Sequence, residues 1–305
     1  MIVAASHIWA KLVAGGSLNP SEFPAFDGKI DMRGLVAPEP IVSGPALTVG
    51  STLLRSQSGV TTIRGARWKS VDFTGAHLGR VRIVDSEIDD CIFDRSSCRS
   101  LGFWNTTVRG CRFEGTDLRN STLGGTIEGK QNQFSDVNFT RADFRQTGIG
   151  PARMERCDFS DARLDRTEFL GTVLIDCKFE GDLREVIFYG DWDEGFAPNE
   201  MLRVDLRRAR LHMTEFRRMD MPNVRWPEDA VLIDNYRETL DRVLTGLAQS
   251  DDPGASRLAT VLRSRRKWAG PNQKRGVVSK EDLIRLYGPN GVEVFLRLAR
   301  GGEHS

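Results

Sequence analysis

Large apolar side chains recur at every fifth position over about half of this 305-residue chain. The run begins at Ile63 and ends at Met221, and its frame shifts before Phe134 and again before Met201. All 28 positions are apolar, although only 39% of the chain is. The positions are Ile63, Trp68, Phe73, Leu78, Ile83, Ile88, Phe93, Cys98, Phe103, Val108, Phe113, Leu118, Leu123, Phe134, Phe139, Phe144, Ile149, Met154, Phe159, Leu164, Phe169, Leu174, Phe179, Met201, Leu206, Leu211, Phe216 and Met221.

The residue two places before each large one is small in most units, with Leu101 and Met219 as large exceptions. A strand points residues i and i+5 to opposite faces, and a helix separates them by about 140°. Neither element can align every fifth side chain. We therefore expect the chain to turn once in each five-residue unit and to send one large and one small side chain inward. Such units bury little alone and must stack as a solenoid.

At this point the chain resembles the pentapeptide repeat proteins, whose units read A-(D/N)-L-x-x. Examples are Ala76-His77-Leu78, Thr116-Asp117-Leu118 and Ala142-Asp143-Phe144. The resemblance covers residues 61–226. It implies a mainly β fold, a right-handed quadrilateral β-helix with four units per coil. About seven coils at a spacing of ~4.8 Å would give a rod of roughly 35 Å.

The ends of such a rod expose unpaired backbone and need caps. We expect residues 1–60 to form an N-terminal cap with irregular first coils, including a helix near Ser6 to Val13. Residues 227–305 are expected to form an α-helical C-terminal domain. Its first helix would carry Val231 to Leu247, since the apolar residues there follow helical spacing. Further helices are expected around Leu258, from Ser279 onward, and up to about Arg300.

The sequence offers little for catalysis, and we expect no enzyme, no cofactor and no metal site. The four histidines lack the spacing of a metal site or a catalytic triad, and no phosphate-binding or dinucleotide motif is present. The five cysteines are odd in number and include no C-x-x-C pair, which favours buried thiols over disulfides or zinc ligands. The chain has no long apolar run, and its start lacks a basic leader. We expect a cytoplasmic protein without a membrane span.

An acidic cluster and one tryptophan on the outward positions are candidates for partner binding. Asp85, Glu87, Asp89 and Asp90 fall within one expected coil. They would form either a site for a basic partner or a solvated face balanced by neighbouring arginines. Trp104 also falls at an outward position, where the C-terminal helices or a second copy of the chain could cover it.

Two interruptions of the repeat are further candidates, because loops on rigid scaffolds often carry function. The first, at residues 124–133, is expected to add one residue. The second, at residues 181–200, contains the stretch YGDWDEGFAPNE. A tryptophan in an acidic loop can anchor an interface, but its aromatic residues could equally fold back over the neighbouring coil. The candidate residues of this loop are Asp191, Trp192, Asp193, Glu194 and Phe196.

Two functions remain open. The broader one is a non-catalytic scaffold that binds an unknown cytoplasmic protein, without direct nucleic-acid binding and with a homodimer as one option. The narrower one follows from the resemblance alone. Some pentapeptide repeat proteins mimic DNA and modulate DNA gyrase or topoisomerase IV, giving resistance to quinolones or to a self-produced antibiotic. Residues 61–226 contain 27 acidic and 26 basic residues, so mimicry would require the acids to gather on one face.

Overall fold

The structure, a computed structural model, describes residues 5–38, 59–191, 198–199, 201–271 and 273–301. The α-helices are α1 Ala5–Ala14, α2 Tyr236–Leu247, α3 Pro253–Trp268, α4 Lys280–Tyr287 and α5 Gly291–Arg300, and a 3-10 helix spans Pro20–Glu22. The strands are β1 Gly16–Ser17, β2 Ala25–Phe26, β3 Lys29–Asp31, β4 Thr61–Arg64, β5 Ala66–Lys69, β6 Val71–Asp72, β7 Val81–Val84, β8 Glu87–Asp89, β9 Gly102–Trp104, β10 Thr107–Arg109, β11 Thr126–Ile127, β12 Lys130–Ser135, β13 Gly148–Ile149, β14 Ala152–Glu155, β15 Glu168–Phe169, β16 Thr172–Ile175, β17 Lys178–Arg184, β18 Ile187–Tyr189, β19 Asp205–His212, β20 Glu215–Arg217, β21 Ala230–Asp234 and β22 Arg275–Ser279.

Parallel pairing stacks these strands into a four-sided β-helix. Face A is the sheet β1-β5-β8-β10-β12-β14-β16. Face B contains β2-β3-β6 and continues through single bridges from Asp72 to Lys178. Face C consists of bridges from Val36 to Arg163, and β17 and β19 bend from face B onto face C. Face D joins β4-β7-β9 to β13-β15-β18-β20 through a bridge at Thr122.

The period-of-five prediction is confirmed, because all 28 large positions are buried. The corner that repeats every five residues is also visible in the backbone. Residues at the corners adopt left-handed φ, among them Ser70 at 51°, Arg80 at 56° and Asp90 at 52°. A left-handed residue turns an extended chain sharply, so one such residue per unit brings the next large side chain onto the next inner wall. Gly, Asn and Asp accept this conformation most readily.

Phenylalanine rings form a continuous stack inside face B, with one ring from each coil. Phe73 and Phe93 have centroids 5.0 Å apart, and Phe93 and Phe113 have centroids 4.6 Å apart. The stack continues through Phe139, Phe159 and Phe179. The ring separations match the interstrand spacing of ~4.8 Å, so backbone pairing and ring stacking reinforce each other.

The small inward positions have a second role when they carry a hydroxyl group. Thr116 Oγ1 donates to the carbonyl oxygen of Phe93 at 2.6 Å, and Thr147 Oγ1 donates to that of Leu118 at 2.6 Å. Each of these bonds joins one coil to the coil below it. Small polar residues can therefore stand inside the rod without leaving a buried donor unpaired.

The first interruption is larger than the sequence analysis expected. Regular coils pair residues 20 positions apart, as in Thr61 with Val81, whereas Thr107 pairs with Gln133, 26 positions later. The six additional residues include a β-hairpin made by β11 and β12. Its turn residues Glu128 and Gly129 both have left-handed φ, as a tight hairpin requires.

The second interruption begins later than expected. Leu183 and Phe188 are fully buried, so the repeat continues beyond Phe179. The coil there is one residue short, since Glu168 pairs with Ile187, 19 positions later. The change in spacing hid these two units from the five-residue frame. The loop that follows begins after Gly190, and Asp205 restores the register by pairing with Lys178.

Helices pack at both ends of the rod. The predicted first helix is confirmed as α1, which buries Ile8, Trp9 and Leu12 in the core of the rod. The prediction that a helix begins at Val231 was wrong, because Val231 lies in β21 and α2 begins at Tyr236. Alternating burial along β21 explains the error, since a run this short fits either period.

The other C-terminal helices occur where they were expected, as α3, α4 and α5. Ser279 caps α4 by accepting the backbone N–H of Asp282 at 3.2 Å. The strand β22 was not predicted. It pairs with β21 in an antiparallel sheet, and α2 to α5 pack around a second hydrophobic cluster. The division into three domains at residues 60 and 226 remains a proposal.

Candidate interaction surfaces

Ion pairs within single repeats cover much of the rod and follow the sequence Asp-x-Arg. In Asp143-Phe144-Arg145, the arginine Nε and Nη2 donate to the carboxylate at 2.9 and 2.7 Å, and its backbone N–H donates at 3.2 Å. Asp205 and Arg207 repeat this geometry, and the hydrogen bonds from Arg207 hold the pKa of Asp205 at about 2. The same arrangement occurs at Asp31–Arg33 and Asp117–Arg119.

Ion pairs also link successive coils. Arg156 Nε lies 2.6 Å from Asp136, and Arg203 Nη2 lies 2.6 Å from Asp176. Side-chain hydrogen bonds from the arginines lower the pKa of both aspartates. All four residues occupy left-handed corners in the same column, so acidic and basic side chains alternate along the rod there.

Each corner residue of the acidic cluster lies against a base. Asp85 forms an ion pair with Arg64 and accepts a hydrogen bond from Asn105 Nδ2 at 2.8 Å. Asp90 lies 2.5 Å from Lys29 Nζ, and hydrogen bonding to that lysine lowers its pKa. The cluster therefore does not continue as an acidic stripe into the neighbouring coils at these corners.

The two strand residues of the cluster have basic neighbours in register. Glu87 stands beside Arg67, and Asp89 stands between Lys69 and Arg109 on face A. Glu87 is exposed, and Asp89 is half-buried. The four acids thus lie on face A and its two corners within a single coil, and they do not continue along the rod. Their role in partner binding remains a proposal.

The central levels of face D differ from the neighbouring segments of face C in their lack of charge. We call five successive levels of this face the low-charge face. Only one of its ten outward strand positions is charged, whereas nine of ten are charged on the segments of face C that directly precede these levels in the chain. The low-charge face consists of Gly102, Trp104, Thr122, Gly124, Gly148, Gly150, Glu168, Leu170, Ile187 and Tyr189. The segments of face C are Ser97, Arg99, Asp117, Arg119, Asp143, Arg145, Arg163, Asp165, Asp182 and Arg184.

Glycines make the centre of the low-charge face flat. A Cβ atom at Gly124 would lie 2.2 Å from the carbonyl oxygen of Gly150, so the backbone of adjacent coils approaches more closely than a side chain allows. Leu170, Ile187 and Tyr189 are half-buried beyond this centre. The Tyr189 hydroxyl accepts a hydrogen bond from Arg217 Nη1 at 2.6 Å, which orders this end of the face.

Trp104 lies flat on the low-charge face and is partly covered by its own rod. A Cβ atom at Gly102 would lie 2.2 Å from the indole ring, and one at Gly125 would lie 2.8 Å from Nε1. The guanidinium group of Arg82 sits 5.5 Å from the ring centroid. Two glycines and an arginine of the rod thus cover part of the ring, and the expectation that the C-terminal helices or a second copy of the chain cover Trp104 stays a prediction. One surface of the ring stays accessible, since Trp104 is only half-buried.

Only one of the five candidate residues of the second loop, Asp191, lies within the described part of the chain. Trp192, Asp193, Glu194 and Phe196 lie outside the described residues. Asp191 is exposed and lies 3.7 Å from Arg218.

A buried asparagine stands where each interruption rejoins the rod. Asn132 Oδ1 accepts the backbone N–H of Thr106 at 2.9 Å, and its Nδ2 donates to the carbonyl oxygen of Phe103 at 2.6 Å. Asn199 Oδ1 accepts the backbone N–H of Leu174 at 3.2 Å and that of Met201 at 3.0 Å. Both asparagines occupy the small inward position, two places before Phe134 and Met201. They replace backbone bonds that an interrupted coil would otherwise lack.

The cysteines are buried in the rod and are poorly suited to chemistry. Burial raises the pKa of the Cys98 thiol to about 12, and burial likewise raises the pKa values of Cys91 and Cys157. A thiol reacts as the thiolate, so these groups are inert at neutral pH. Across the described ranges, no three His, Cys, Asp or Glu side chains are grouped to hold a metal ion. No helix within the same ranges is long and apolar enough to cross a membrane.

Sequence reasoning missed the low-charge face. The signal is present in the chain, but it becomes visible only when residues are aligned at the coil length of 20 and both interruptions are given their true size. The five-residue frame identifies inward positions without assigning outward ones to a particular side.

Comparison with known proteins identifies the repeat. The family model of pentapeptide repeats matches residues 152–188 with eight copies. No curated protein matches the sequence.

Several solved structures are similar in part. Rfr23 from the cyanobacterium Cyanothece 51142 is 14% identical, with 43% of this chain and 91% of that chain covered and a TM-score of 0.30. HetL, a protein involved in heterocyst differentiation regulation from Nostoc sp. strain PCC 7120, is 11% identical, with 75% and 98% covered and a TM-score of 0.27. Full-length QnrB1, a plasmid-mediated fluoroquinolone resistance protein, is 17% identical, with 59% and 87% covered and a TM-score of 0.21. At these scores the three structures support no inference about function.

Proposed function

Since this chain belongs to the pentapeptide repeat proteins, we propose that it is a non-catalytic scaffold that binds a partner protein on its low-charge face. The observation that carries the proposal is the contrast between this face and the segments of face C that directly precede it in each coil, with one charged position in ten against nine in ten. A partner docking on face C would have to desolvate many ion pairs. A partner docking on the low-charge face would desolvate few charges.

The residues of the low-charge face are of the kinds that anchor interfaces. Trp104 offers aromatic surface with a polar edge, and Leu170 and Ile187 offer aliphatic surface. Aromatic residues are enriched and charged residues depleted at the centres of protein interfaces. Because the rod holds these side chains on paired strands, little conformational entropy is lost when they are covered.

The face is too small to form a whole interface by itself. Five levels at ~4.8 Å and strands of about three residues give an area of a few hundred Å², below the ~800 Å² per partner of a standard interface. The partner is therefore expected to extend over an adjoining corner. The corner next to Trp104 carries Asp85. We therefore include the acidic cluster in the proposed binding surface. A cytoplasmic location for the partner is also part of the proposal.

The charge pattern gives the DNA-mimicking alternative little support. In the described part of the rod, acids alternate with arginines along the corner column and within the Asp-x-Arg units. A mimic of duplex DNA needs a dense row of negative charge, about one per 1.7 Å of axis. We therefore do not extend the proposal to a type II topoisomerase.

Site-specific photo-crosslinking tests the proposal. A photoreactive phenylalanine analogue replaces Leu170 or Ile187, and matched controls carry it at Ile92, a half-buried aliphatic residue facing outward on face B. In the cells that produce the protein, we expect a discrete adduct from positions 170 and 187 and none from position 92. An adduct of twice 34.1 kDa would identify the partner as a second copy. Identical adducts from all three positions, or none from 170 and 187, would refute binding at this face.

A further inference from the structure

The sheet formed by β21 and β22 has an open edge. Strand β21 pairs along its whole length with β22, and no other strand of the described chain pairs with it. Natural proteins usually protect such edges with charged residues or proline. At the centre of β21 the outward residue is instead Leu232, which is 52% exposed. It is one of four large hydrophobic residues that are exposed among those described.

A groove runs between this edge and helix α5. Its volume is about 320 Å³, and its lining includes Leu232, Ile233, Phe295 and Leu296. Leu296 and Ala299 pack against the C-terminal cluster but are only half-buried. Helix α5 therefore leaves apolar surface exposed on the side of the groove. The groove therefore places exposed apolar side chains beside strand backbone that can accept a further strand.

Positive charge lies at one end of the groove. Arg242 and Arg300 line it, and Arg242 Nη2 is held in place by the carbonyl oxygen of Ala299 at 2.9 Å. The one acidic residue of the lining, Asp234, is already paired with Arg275 at 3.1 Å. Neither Arg242 nor Arg300 has an ion pair with any described residue. A negative group of a ligand would meet two guanidinium groups there.

We propose that this groove binds an extended segment of a partner protein, which adds a third strand to the sheet at β21. The edge of a strand is best satisfied by another strand, so the occupant is extended rather than helical. Side chains of a strand alternate between two faces, so every second side chain of the segment would enter the apolar groove beside Leu232. The segment carries a carboxylate at the end next to Arg242 and Arg300. This site is separate from the low-charge face, and either proposal can fail without the other.

Selection from a peptide library on the full chain tests this proposal. The probe is a phage-displayed library of random octapeptides with free C-termini. We expect enrichment of peptides that alternate apolar and polar residues and carry an acidic residue or free carboxylate at one end. Leu232→Lys should weaken their binding by about tenfold or more, a change of about 1.4 kcal/mol. The matched control is Ile284→Lys, because Ile284 is 46% exposed on α4 and does not line the groove.

Two further measurements distinguish strand addition from nonspecific hydrophobic binding. N-methylation of alternate backbone amides in a selected peptide should abolish binding, because it blocks strand pairing. Arg242→Gln should weaken the acidic peptide but leave its Glu→Gln, C-terminally amidated version unchanged. The proposal is overturned if no peptide is enriched, or if the selected peptides bind Leu232→Lys as well as the parent. Thermal melting checks that each variant is folded.

Discussion

At the scale of the residue, the rod depends on two kinds of inward position with different demands. Large positions stack across coils, as Phe93 and Phe113 do at 4.6 Å. Small positions hold either a small apolar residue that is fully buried, such as Ala66, or a residue that hydrogen-bonds to the coil below, such as Thr116. The sequence alone predicts both kinds of position, because they depend only on the five-residue period.

Removal of one stacked ring should lower the stability of the fold substantially. Phe113 is fully buried between Phe93 and Phe139, and neighbouring coils cannot close the gap because backbone pairing fixes their spacing. We expect Phe113→Ala to lower the free energy of unfolding by about 3–5 kcal/mol in denaturant titrations. The control is Arg109→Ala at an exposed outward position, expected to stay within about 0.5 kcal/mol. A variant of Phe113 as stable as the control would show that this ring is not interior.

Asn132 and Asn199 show where prediction from residues stops. Both asparagines are buried in positions that elsewhere hold small side chains. Their side chains replace missing coil-to-coil bonds, as at Thr106 and Leu174. From sequence alone, an asparagine beside an interruption does not indicate whether the repeat has ended or resumed. Only the three-dimensional register shows that it resumes the repeat.

At the scale of the element, the interruptions were found from sequence but their sizes were not. A five-residue frame reports an insertion only as the remainder after division by five, so six extra residues look like one. The hairpin of β11 and β12 went unnoticed for this reason. The strand β21 was missed for a different reason, since its five residues are too few for their period to be distinguished from a helical one.

The Asp-x-Arg units should make the rod sensitive to acid. The pKa of Asp205 is about 2 in the folded state, below its ordinary value of 3.8, because Arg207 donates hydrogen bonds to it. A carboxylate with a lowered pKa stabilises the fold above the unfolded value, and this contribution is lost as the pH falls toward the folded value. We expect the melting temperature to fall between about pH 4 and pH 2.

The variant Arg207→Gln tests how much a single Asp-x-Arg pair contributes to this acid sensitivity. Without the guanidinium group, the pKa of Asp205 should return toward 3.8, so the variant should lose less stability than the parent over the same pH interval. The difference should be below about 1 kcal/mol, because the Arg207 side chain is exposed to solvent. Asp205→Asn should behave like Arg207→Gln, and their combination should add nothing further. Equal acid sensitivity of parent and variants would show that the pair has no linkage to folding.

At the scale of the whole molecule, the inside of the rod was predictable and its outside was not. Burial of the period-five residues follows from a local rule repeated along the chain. The low-charge face depends on which outward residues share a side, and that depends on every insertion before them. The groove beside β21 could not be predicted either, because it depends on the pairing of β21 with β22, which lies much later in the chain. Asp234, for example, pairs with Arg275, 41 positions further along.

The burial of the cysteine thiols tests the central claim most directly, because it reports which side chains lie inside the rod. All five cysteines occupy inward positions, four small and one large, and all are buried. A thiol-reactive chromogenic disulfide is added to the folded full chain and, in parallel, to the chain in concentrated guanidinium chloride. The account predicts that no thiol of the folded chain reacts on the time scale of minutes and that all five react after unfolding. Rapid reaction of one or more thiols in the folded protein would contradict it.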